Sequence, residues 1–115
     1  MKTDEPVITM DLYPTLLELT SCEQLPMQTV DGCTLVPLIH AEKHLSRPFL
    51  DWWYPHTNGH GTQPCQAILQ DGWNLVHYME RNEAELYRLE DDEGERNDLA
   101  KMEAKRAREL LVEIE

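Results

Sequence analysis

The chain has 115 residues, with 10 Lys and Arg against 22 Asp and Glu, a formal net charge of −12. That length is near the common size of one unit with one core, and 41% hydrophobic with 28% charged residues fits a soluble protein able to build that core. The charge repels phosphate backbones and anionic lipid alike, which disfavours nucleic acid and membrane as partners, and no apolar run approaches the roughly 18 residues of a spanning helix.

Met1 to Pro6 carries one Lys, then two acids and no apolar stretch, so it reads as neither a secretory signal nor a transit peptide. Leu12, Leu16 and Leu19 come next at i, i+4 and i+7, which predicts a short helix over about 11–20. Thr9 or Asp11 can cap it, and Pro14 is tolerable near its start. Residues 21–33 hold Pro26, Asp31 and Gly32 without a sustained period and read as a loop closed by an Asp-Gly turn. Leu35, Leu38 and Ile39 suggest one or two helical turns.

From Arg47 to Tyr54 the composition turns aromatic, with Phe49, Leu50, Trp52, Trp53 and Tyr54, and reads as a buried strand ended by Pro55. Residues 55–64 hold two Gly, two Pro and no apolar side chain, so they form an irregular loop on a surface or lining a cleft. Ala67 to Gln70 and Trp73 to Met79 flank Asp71-Gly72, a strong hairpin signal, and Glu85 to Leu89 adds a further strand. The acidic run Glu90 to Glu95 breaks the sheet, with Gly94 supplying an unusual backbone angle and Asn97 or Asp98 capping the next segment. Ala100 to Glu115 is rich in helix formers, with Ala107, Leu110, Leu111 and Ile114 on one stripe. The expected fold is α+β: a small antiparallel sheet of three or four strands packed against a C-terminal helix, with a short N-terminal helix.

Three cysteines, Cys22, Cys33 and Cys65, are an odd count without CxxC spacing, hence neither a disulfide framework nor a zinc knuckle. A Cys22–Cys33 pair in an oxidising compartment stays open as an alternative. His56, His60, Cys65 and His77 offer zinc-type donors, but Gly59 and Gly61 beside prolines forbid the helix that would align His56 with His60. Polar loop histidines are the simpler reading. A calcium loop around Gly94 fails on spacing, because it places Leu89 at the first ligand position.

Three segments, in this order, resemble the C-terminal region of type I sulfatases of the alkaline-phosphatase-like superfamily. The first is Ile8-Thr-Met-Asp-Leu-Tyr-Pro-Thr-Leu-Leu-Glu-Leu19, followed by Asp31-Gly-Cys-Thr-Leu-Val-Pro-Leu38. The second is Gln66-Ala-Ile-Leu-Gln-Asp-Gly-Trp-Asn-Leu-Val76, and the third is Glu85-Leu-Tyr-Arg-Leu-Glu-Asp-Asp-Glu-Gly-Glu-Arg-Asn-Asp-Leu99. Asn74 stands where the family usually has Lys, and Thr20-Ser21 replaces its usual Ala-Gly. The resemblance implies a parent that hydrolyses sulfate esters of sugars or aryl alcohols in the periplasm or outside the cell. It also implies calcium and a formylglycine made from the Cys or Ser of a Cys/Ser-x-Pro-x-Arg motif. None of Cys22, Cys33 and Cys65 lies in such a motif, so this chain is expected to hold no catalytic residue, metal or cofactor.

On this reading, residues 7–45 join the catalytic domain of the parent and residues 46–115 form the sheet with its terminal helix. His56, Asn58 and His60 are the candidate substrate-binding residues, a polar wall on a Gly-flexible loop. The partner is the sulfatase catalytic domain. For the chain alone, apolar surface normally covered by that domain gives a salt-favoured homo-oligomer. The rival functions are a non-catalytic interaction module and a small metal-binding protein.

Overall fold

The helical period near the N-terminus and the alternation after residue 50 fold as two units, Met1–Arg47 and Pro48–Glu115. The computed structural model describes all residues except 1, 2, 42, 43, 46, 58–60, 62 and 115.

The first unit holds a 3₁₀ turn, Thr9–Asp11, running into helix α1, Leu12–Leu19, and the four-residue helix α2, Val36–Ile39. Pro37 falls in the first turn of α2, where its missing N–H leaves no bond unmade. Asp11 and Thr15, both polar, are buried, as are Val36, Leu38 and Leu45. The Asp-Gly turn foreseen at Asp31-Gly32 brings its backbone against Met10, so that a Cβ at position 32 would lie 2.1 Å from the Met10 carbonyl oxygen. Only glycine fits there.

In the second unit, β1 (Leu50–Tyr54), β2 (Cys65–Gln70), β3 (Trp73–Tyr78) and β4 (Glu83–Arg88) form one antiparallel sheet in sequential order. Asp71 and Gly72 both take positive φ, 52° and 77°, the backbone that a two-residue hairpin requires. Helix α3, Ala104–Ile114, packs on β2, β3 and β4. Ile68, Leu75 and Leu86 lie side by side in the register and join Ala107 and Leu110 in the core. Each of the buried Ile and Leu side chains contributes about 1.5–3 kcal/mol on burial, and the stripe through Ala107, Leu110, Leu111 and Ile114 is the one its spacing foretold. The fold is α+β as expected.

Three local expectations need correction. β1 is not a buried strand: Leu50 alone is buried, while Trp53 is 68% exposed. It is the first strand of the sheet, and α3 sits over the other three. Gly94 does not carry the unusual backbone angle; its neighbour Glu95 does, at φ 51°. The Asp11 carboxylate makes no cap bond to α1, because it is turned toward other partners. Asp98, by contrast, does cap: its Oδ1 accepts the Ala100 N–H at 2.9 Å.

Candidate functional site

The polar groups that the fold organises fall into three places. The most buried is in the first unit, around Asp11. Its side chain is fully buried and accepts four contacts from three groups: Oδ2 from the Ile8 N–H at 2.9 Å, Oδ1 from the Cys33 N–H at 3.0 Å, and both oxygens from Arg47 Nη1 at 2.8 and 3.1 Å. Arg47 Nη2 also donates to the Pro6 carbonyl at 2.8 Å. Burial alone would raise the Asp11 pKa; the Arg47 hydrogen bond, the two backbone N–H groups and the Arg47 charge outweigh it and hold the carboxyl below its usual value. One turn on, Thr15 Oγ1 donates to the Asp11 carbonyl at 2.6 Å and accepts the Leu35 N–H at 2.8 Å.

Asp11 and Thr15 thus tie α1 to residues 33–35 and to Arg47. Chemically this is an anchor, because a carboxylate saturated by donors and a guanidinium has no lone pair aimed at a ligand. The Cys33 thiol beside it is pushed up by burial, with Asp11 adding to the effect against Arg47, so it is a poor nucleophile. Cys22, Cys33 and Cys65 are all free.

The second place is the sheet face away from α3. Its register rows run Tyr54, Cys65, Tyr78, Glu83 and Trp52, Ala67, Val76, Glu85. Glu85 Oε2 accepts hydrogen bonds from Tyr78 at 2.9 Å and Tyr87 at 3.0 Å. Burial raises the pKa of both phenols, and the hydrogen bonds they donate to the Glu85 carboxylate, with its negative charge, raise them further. The Arg81 guanidinium lies 4.4 Å from the Tyr78 ring centre. Asn74, which stands in the family's usual Lys position, donates from Nδ2 to Glu95.

The third place is the loop after β1. His56 is exposed, with its ring edge-on to Tyr54 at 6.3 Å between centres. Asn58 and His60 lie outside the described residues. His77 does not turn toward a shared donor set, since its Nε2 lies 3.2 Å from Asn82 Oδ1. Among the described residues no group of three or more His, Cys, Asp and Glu is placed to hold a metal ion. The buried Asp11 carboxylate is taken by Arg47 and so offers no oxygen to a cation.

The chain belongs to the N-sulphoglucosamine sulphohydrolase C-terminal family, which it matches over residues 1–114. It is 33% identical over 94 residues to the Delta 4,5-hexuronate-2-O-sulfatase of Bacteroides thetaiotaomicron, covering 81% of this chain and 19% of that protein. Among solved structures, a 2-O GAG sulfatase superposes with a TM-score of 0.67 at 29% identity, over 90% of this chain and 22% of its own. A protein solved with its substrate D-glucosamine-2-N,6-O-disulfate shares the fold, with a TM-score of 0.69 at 22% identity, over 90% of this chain and 23% of its own. The chain thus spans about a fifth of the length of the relatives it matches.

Sequence reasoning finds the ordered segments but misses what two of them do. Asp11 and Thr15 read as parts of a motif and a cap, and Arg47 only as the start of a strand. The signal for a buried pair is an acid within an apolar helix start, with one Arg ahead of Pro48.

Proposed function

We propose that this chain acts as the C-terminal subdomain of a sulfatase whose full-length form hydrolyses sulfate esters of sugars. The chain by itself is inactive. A covalent sulfatase mechanism needs an activated nucleophile and a metal to stabilise developing charge, and this sequence offers no Cys or Ser in the required motif. Calcium and formylglycine belong to the catalytic part of such a parent. Residues 7–45 join that part, and residues 46–115 form the appended sheet and helix. The loop bearing His56, Asn58 and His60 lends a polar wall to the substrate cleft.

The observation that carries this reading is the family match over residues 1–114 in a chain about a fifth as long as its relatives. The sugar-sulfate substrate class is supported by the 33% identical hexuronate-2-O-sulfatase. Incubation of the purified chain with sulfated glucosamine and with a chromogenic aryl sulfate, each with calcium, tests it. No turnover above buffer is expected. Turnover that survives purification and vanishes in His56→Ala overturns the reading.

A further inference from the structure

We draw no further inference here: the strongest candidate, the exposed apolar stripe of Leu12, Leu16 and Leu19 along α1, belongs to the segment already proposed to join the catalytic part of a parent, and nothing in the structure shows what covers it.

Discussion

Replacing Asp11 by Asn removes one charge from a pair whose carboxylate is fully buried and whose Arg47 side chain is only 16% exposed. The amide also offers one acceptor oxygen where the Ile8 and Cys33 N–H groups now use two, so one backbone donor faces an NH₂. Breaking a buried pair by removing one partner costs about 3–5 kcal/mol, much of it from the charge left behind. The residual access of Arg47 to water places the expected cost at the lower end, about 3 kcal/mol. At about 1.4 kcal/mol per tenfold, the opening equilibrium of the turn that Asp11 holds rises on the order of 100-fold. Amide exchange at Cys33 and Leu35 reads this directly, with exposed Asp31→Asn as the control. Exchange at those two amides within about three-fold of wild type would refute the view that Asp11 anchors the first unit.

The same anchor gives an acid limit. Because the folded Asp11 pKa is depressed, its contribution is fully present above the unfolded value of about 3.9 and is lost as pH falls through the lower folded value; a pH series of Leu35 exchange should show this step, and Asp11→Asn should abolish it. Gly32→Ala should destabilise the first unit, since the added Cβ meets the Met10 carbonyl oxygen, and an unfolding midpoint equal to wild type would show that the turn relaxes freely. In the second unit, Leu75→Ala, at a fully buried core position, should cost about 2–5 kcal/mol in denaturant unfolding monitored by tryptophan fluorescence. The isolated chain should self-associate more as salt rises and screens its charge, and light scattering that shows a strict monomer at high protein and salt concentration would mean the α1 stripe is covered from within.

Local signals are legible in the sequence and distant pairings are not. Asp71-Gly72 can be read because a two-residue hairpin needs positive φ at both positions, and few residue pairs supply it. The α3 stripe can be read because burial repeats with the helical period. Trp52 and Trp53 mislead because aromatic composition reports affinity for a sheet surface, not which strand lies under the helix. Asp11 misleads for a different reason: its partners Cys33 and Arg47 are 22 and 36 residues away, and an acid at a helix start looks like a cap. At the candidate substrate wall the sequence supplies residue types alone, and His56 is exposed beside Tyr54. The three ordered sulfatase-like segments are more informative than any single spacing, since the family match runs through all of them.

The outer side of β4 bears on how this protein can aggregate. Leu86, midway along that strand, has its outward N–H taken by Asp98 Oδ1 at 3.0 Å and its outward carbonyl taken by the Leu99 N–H at 2.8 Å. A sheet grows into a fibril only if strands can be added at both of its sides, because each newcomer must offer a fresh edge to the next. With the middle of β4 occupied in this way, strand addition is favoured at the β1 side of the sheet. Joining two such sides uses up both and closes the assembly as a two-fold pair. Sheet-to-sheet growth through β1 therefore favours pairs of chains, and larger clusters of this protein should form through side-chain surfaces and dissolve when those surfaces are made polar.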